Sequence, residues 1–135
     1  MHLLNREDFG MNGNAFLLDT NTVIALLRGE TGIQKSIAPA TWLGISVITV
    51  IEFNSFRALI DEDRNLFQVF CSQVEIINLS AENITLLEEI SSLRRGYLLK
   101  TPDAIIVASA KVSNVILLTR DQQLLNLGLE YIQSF

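Results

Sequence analysis

Short apolar runs alternate along the chain with longer stretches in which apolar residues recur at helical spacing. Ala15–Asp19 (AFLLD) is a brief continuous apolar run closed by an acid, as in a strand buried on both faces. Thr22–Arg28 (TVIALLR) follows with helical periodicity and stops at Gly29. Leu43–Val47 (LGISV) predicts a second strand, and Thr49–Ile60 a second long helix. Asp61–Ser72 predicts a further helix, whose acidic first turn suits the positive end of the helix dipole. Val74–Leu79 alternates as a strand, and Ser80 is placed to cap a helix running to about Leu98. Thr101 and Pro102 mark another helix start, with Thr as the cap and Pro in the first helical position. Val115–Thr119 (VILLT) and Glu130–Gln133 read as the last strands. Apolar strands alternating with helices predict an α/β fold, a mostly parallel sheet covered by helices on both faces. In such sheets ligands gather beyond the carboxyl ends of the strands, so the polar residues just past each strand are the informative ones.

A chain of 135 residues has the size of one domain. The expected division is a flexible lead-in over residues 1–14, with Gly10, Asn12, Gly13 and Asn14 and no periodicity, followed by a single domain over 15–135. Met11 is a second candidate for the natural start, beside Met1. A hydrophobic share of 49% with 19% charged residues excludes a disordered chain. No apolar stretch approaches the ~20 residues that cross a bilayer, so the positive mean hydropathy reflects a core. The first ten residues include Glu7 and Asp8 and lack the apolar segment of a signal peptide, which points to the cytoplasm. The single cysteine, Cys71, excludes an internal disulfide and a multi-cysteine zinc site.

The single histidine narrows the chemistry further. His2 lies in the lead-in, so nucleophile systems built on a histidine base have none to use, and a multi-histidine metal site is impossible. Neither G-x-x-x-x-G-K-[ST] nor G-x-G-x-x-G occurs. An enzyme made from this chain has to rely on carboxylates and a hard metal ion. A net charge of −5 argues against a broad non-specific nucleic-acid binder. Four acids gathered in one metal site would account for four of those five excess charges, which weakens the objection.

Four acids hold positions of interest, and each also has a plain structural reading. Asp19 ends the first strand and precedes Thr20-Asn21-Thr22, where an acid commonly just caps the next helix. Glu52 has Ile48, Phe56 and Leu59 as its i−4, i+4 and i+7 neighbours, so it projects from an apolar helix face, which glutamate rarely does without a partner. Its plain alternatives are a partly exposed helix edge or a pair with Arg57. Asp103 opens the very apolar stretch Ala104–Ala110, where free backbone N–H groups are expected to favour its ionised form. Asp121 follows VILLT by one residue, after Arg120, and otherwise reads as the cap of a short segment over 122–127.

Taken together, these positions converge on one edge of a parallel sheet. Carboxylates brought to one point repel unless a cation neutralises them. All-oxygen ligation selects Mg²⁺ or Mn²⁺, and such sites bind phosphate oxygens and activate water for phosphodiester hydrolysis.

The segments FLLDTNTVIALLRG (16–29), ISVITVIEF (45–53), LRRGYLLKTPDAIIVASA (93–110) and VILLTRDQQL (115–124) resemble the PIN-domain nucleases, in particular their small VapC-like ribonuclease toxins. The resemblance covers nearly the whole chain from Ala15 onward. It implies a three-layer α/β/α domain with a mostly parallel sheet of four to five strands. It also implies a Mg²⁺- or Mn²⁺-dependent endoribonuclease, usually a homodimer, inhibited by an antitoxin encoded beside it. Carried over by position, Asp19, Glu52, Asp103 and Asp121 are the implied catalytic and metal-binding quartet. Thr119 would hold a water or orient Asp121, and Asn21 would support the Asp19 turn. The fourth position departs from many relatives, which have Asn after the T-R pair and an acid further on, so Asp121 ranks below the other three.

Lys100 and Arg120, three and one residues from an implied ligand, are the candidates for RNA phosphate contact. Arg94 and Arg95 fit better as bases opposing a helix dipole. Trp42, Tyr97 and Phe9 have the chemistry to stack on bases, with core or surface packing as the plainer reading. Apolar residues along 54–70 and 84–98 offer a dimer interface and a groove for an antitoxin segment. The competing readings are a non-catalytic RNA- or partner-binding module and a housekeeping RNA-processing nuclease of the same fold. A phosphotransferase of the haloacid dehalogenase type also begins strand–Asp, but it takes a second acid where Asn21 stands.

Overall fold

A computed structural model describes residues 14–135; the lead-in before Asn14, with His2, Phe9 and Met11, lies outside the described residues. The elements run β1 (Ala15–Leu18), α1 (Thr20–Leu27), α2 (Thr31–Ile37), β2 (Trp42–Ser46), α3 (Val47–Asn54), α4 (Asp61–Gln73), β3 (Glu75–Ile77), α5 (Ile84–Tyr97), α6 (Thr101–Ser113), β4 (Ile116–Leu118), α7 (Gln122–Leu125) and β5 (Ile132–Gln133). The strands form one sheet in the order β3-β2-β1-β4-β5, every pair parallel. This is the expected three-layer α/β/α architecture with five strands.

The period-two alternation of β1 divides the core. Ala15 and Leu17 face one layer with Leu93 of α5, Val107 of α6 and Leu124 of α7; Phe16 and Leu18 face the other with Val23 of α1, Ile33 of α2 and Phe67 of α4. Phe53 of α3 stacks on Phe67, ring centroids 4.0 Å apart, and joins α3 to α4. Trp42 is buried and lies across Gly44, where a Cβ would come within 2.4 Å of the indole; the core role of Trp42 replaces the base-stacking one. No helix among the described residues is long and apolar enough to cross a membrane.

The chain order places the switch point at β1, whose connection leads to β2 on one side while β4 returns on the other. Asp19 follows β1 and Thr119 follows β4, so both sit at the carboxyl edge where the crevice opens. Helix α6 starts at that edge and runs back to feed β4, which brings Asp103 to the same place.

Several boundaries differ from the expected ones. Helix α3 begins earlier, because the Ser46 hydroxyl caps it by accepting the Ile48 N–H at 3.1 Å, and it ends at Asn54. Phe56 and Leu59 therefore lie in the following turn and not on the helix face of Glu52. Helix α5 is capped by Asn83, whose Oδ1 accepts the Leu86 N–H at 3.1 Å, while the Ser80 hydroxyl is engaged with Glu82. Lys100 is the cap residue of α6, with Thr101 and Pro102 in its first turn. Helix α2 has no counterpart in the sequence reading.

Candidate active site

On the strand side of the crevice every acid is already engaged. Asp19, 6% exposed, caps α1 by accepting the Thr22 N–H on Oδ1 at 2.9 Å. Its Oδ2 accepts a short hydrogen bond from the hydroxyl of the fully buried Thr119. Thr119 Oγ1 in turn accepts the Asp121 N–H at 2.9 Å, and the Asp121 carboxylate caps α7 by accepting the Gln123 N–H at 2.9 Å. The Thr22 hydroxyl donates to the Leu118 carbonyl at 3.0 Å and fastens α1 to the end of β4. Capping and convergence are thus one arrangement: Asp19 and Asp121 cap their helices and also line the same cavity.

The helix side is looser. Glu52, half-buried in the last turn of α3, accepts the Thr20 hydroxyl on Oε1 at 2.6 Å, and Thr20 Oγ1 lies 3.2 Å from the Thr49 hydroxyl. Asp103, the third residue of α6, has no side-chain hydrogen bond among those described. Burial pushes its carboxyl above the usual carboxylate range, and the negative charges of Asp121, Glu52 and Asp19 push it the same way against the nearby Lys100. The stabilisation expected from the helix N-terminus is outweighed by burial and by these three acids.

Asp19, Glu52, Asp103 and Asp121 line one cavity of about 170 Å³ together with Thr20, Asn21, Phe56 and Ile106. Among the described residues no three His, Cys, Asp or Glu side chains form a ready-made ligand cage. The donor set nonetheless fits a hard divalent cation. It is all oxygen, it leaves room for water, and Mg²⁺ typically takes only one or two direct carboxylates and keeps several waters. A cation here would also relieve the repulsion that raises the Asp103 carboxyl.

The remaining predicted residues separate. Asn21 is exposed and lines the cavity, but the Asp19 turn is held by the Thr22 N–H and by Thr119, not by Asn21. Thr119 orients Asp19 as well as the Asp121 backbone. Lys100 is exposed at the start of α6, and its charge reaches Asp103. Arg120 does not line the cavity: its guanidinium makes a two-pronged pair with Glu30 at 2.7 and 3.1 Å and lies 4.9 Å from the centroid of the Phe135 ring. Arg94 lies with Arg95 in the last turn of α5, as their dipole-opposing role requires, and also donates to the Leu99 carbonyl at 3.2 Å. Thr20 and Thr49 are not among the residues the sequence singles out. Their partner lies across the fold, and only the excess of Thr at positions 20, 22, 49 and 119 beside the acids signalled them.

A family model described as PIN domain matches residues 16–129. A toxin–antitoxin complex from Klebsiella pneumoniae contains a chain 28% identical, at a TM-score of 0.72, over 88% of this chain and 96% of that one. DNA-bound VapBC from Salmonella typhimurium gives 21% identity and a TM-score of 0.70, over 89% of this chain and 97% of that one. VapBC2 from Rickettsia felis, bound to a promoter DNA fragment, gives 17% and 0.69, over 90% and 98%. No curated protein matches the chain.

Proposed function

The chain belongs to the PIN domain family, and from that premise we propose that it is a divalent-metal-dependent endoribonuclease, the toxin of a toxin–antitoxin pair. The observation that carries this reading is the meeting of Asp19, Glu52, Asp103 and Asp121, far apart in sequence, around one cavity at the carboxyl edge of the sheet. Those four carboxylates would hold the ion, directly or through its bound waters. Mg²⁺ or Mn²⁺ bound there supplies Lewis-acid activation of water and offsets charge on the phosphate. Thr119 keeps Asp19 aimed through its hydroxyl and fixes Asp121 through its backbone. Lys100, free of ion pairs among the described residues, is placed to meet an RNA phosphate.

Cleavage of RNA by the purified protein should require Mg²⁺ or Mn²⁺ and stop in excess EDTA. Undiminished cleavage in EDTA, or by Asp19→Asn, would refute the metal mechanism.

The antitoxin half of the reading is supported by the toxin–antitoxin complexes among the structural relatives. It is supported also by a groove of about 520 Å³ that shares Asn21 and Phe56 with the acidic cavity and is lined by Ile24, Leu27, Phe53 and Leu66. A reading frame for a small DNA-binding protein beside this one, whose product abolishes cleavage, would separate a toxin from a housekeeping nuclease. The homodimer is supported by the apolar side chains left exposed on and beside α3 and α4 (Ile51, Ile60, Leu66, Val69) and at the ends of α5 (Ile84, Leu98). Light scattering at micromolar concentration tests it, and a monomer would remove it. The site of action on this reading is the cytoplasm.

A further inference from the structure

The four threonines around the acids do different work, and the side chain of Thr20 has no part in the chemistry above. Thr119 serves Asp19 and Asp121. Thr22 serves the Leu118 carbonyl. Thr20 is the first residue of α1, yet its side chain turns away from that helix to meet Glu52 Oε1 at 2.6 Å, 32 residues further along the chain. A hydroxyl has one proton, so with that proton on the carboxylate, Thr20 Oγ1 acts as acceptor toward the Thr49 hydroxyl 3.2 Å away. Thr49 and Glu52 stand three residues apart on α3, on one face of the helix. The result is a line from Thr49 to Thr20 to Glu52, buried at its first two members. Each bond in such a line polarises the next. Glu52 Oε2 accepts no hydrogen bond among those described.

We infer that Thr20 is a positioning residue: it occupies one oxygen of Glu52 and so fixes which oxygen, and which direction, the cavity receives for a cation. A glutamate on three rotatable bonds near the end of a short helix would otherwise sample several orientations. Asp19, by contrast, is short and pinned on both oxygens. The dipeptide Asp19-Thr20 thus delivers two functions from adjacent positions, a carboxylate directly and a second carboxylate by proxy. This inference rests on the metal-dependent reading of the site.

The experiment compares Mn²⁺ binding to metal-free wild type, Thr20→Val, Thr20→Ser and Glu52→Gln by calorimetry, with the electron paramagnetic resonance spectrum of bound Mn²⁺ recorded alongside. Partners that orient a ligand typically carry about 10–100-fold in metal affinity. Thr20→Val should therefore weaken Mn²⁺ by that factor and broaden the spectrum. Thr20→Ser, which keeps the hydroxyl, should restore both. Thr20→Val added to Glu52→Gln should do nothing more, since the residue acts only through Glu52. Should the valine variant unfold, Thr20→Ala against Thr20→Ser carries the same comparison, and equal affinities in that pair overturn the inference. Wild-type affinity in Thr20→Val, with Glu52→Gln weakened, overturns it while leaving the metal reading intact. Wild-type protein that binds no Mn²⁺ overturns both.

Discussion

The two walls of the crevice are built differently. On the β1–β4 wall, Asp19 and Asp121 are helix caps, and Thr119 joins them, so each acid is held before any ligand arrives. On the α3–α6 wall, Glu52 has a single hydroxyl partner and Asp103 no side-chain hydrogen bond among the described residues, and Asp103 is pushed toward its neutral form. One wall has its electrostatic cost spread over backbone N–H groups. The other keeps that cost, which a bound cation would remove. On the proposed metal-dependent reading, preorganisation and affinity are thereby divided: the strand ends supply the fixed frame, and the helices supply the charge that a metal would relieve.

The sharpest break in this comparison is between Asp19→Ala and Asp103→Asn. Both should lower RNA cleavage by on the order of 10²-fold or more, since each removes a ligand charge. Their stabilities should part. Asp19→Ala loses a cap worth about 1 kcal/mol and strands the buried Thr119 hydroxyl, so its Tm falls. Asp103→Asn removes a repelled carboxylate, so the Tm of the metal-free protein rises. A Tm for Asp103→Asn below wild type would show that the α3–α6 wall is not under electrostatic load.

Thr119→Val comes next. It deletes the donor to Asp19 and the acceptor of the Asp121 N–H in a fully buried spot, and should cost about 1–3 kcal/mol in chemical denaturation. Cleavage should fall roughly 10–100-fold by loss of orientation. Unchanged activity would separate Thr119 from the site.

A smaller effect lies in pH. The Asp103 pKa is raised in the folded state above its usual 3.8, so the native protein holds that proton more tightly than the unfolded chain does. Its ionisation destabilises the metal-free fold at neutral pH, and this burden lifts as pH falls through the raised value toward 3.8. The Tm difference between wild type and Asp103→Asn should shrink over that interval, and saturating Mn²⁺ at neutral pH should shrink it too. A difference that stays constant with pH would assign it to packing.

The smallest expected effect separates the two bases. Lys100→Ala should reduce the salt slope of RNA binding by about 0.7 per lost phosphate contact, whereas Arg120→Ala, already paired with Glu30, should leave it unchanged. A reversal of the two would return Arg120 to the RNA surface.

Much of this arrangement is legible from residue order alone, because a strand that ends in an acid and a helix that opens with one are local patterns. β1, β4 and α6 announce themselves by unbroken apolar runs with sharp polar ends, and three of the four acids lie in or just after them. Helix α2 is silent because it buries only Ile33 and opens without a side-chain cap. The end of α3 is misread for the opposite reason: Phe56 and Leu59 continue its apolar spacing, but they pack from a turn, Phe56 edge-on to Phe53 at 5.9 Å. No Gly or Pro marks the break. The neutral-leaning Asp103 is equally hidden, since its sign depends first on how deeply the fold buries it and then on three acids contributed by other elements. Thr20 is hidden by distance, its contacts to Thr49 and Glu52 both being long-range.

The double duty of Asp19 and Asp121 bears on how an inert form of the molecule is best made. Silencing the protein at a cap also loosens the helix that the cap begins, so such a variant would be a poor stand-in for the wild-type shape. Asn at 103 removes charge where nothing else leans on it. If the proposed activity holds, that is the substitution to choose for producing the protein harmlessly in a living host, and for trapping it with uncut RNA or a bound inhibitor.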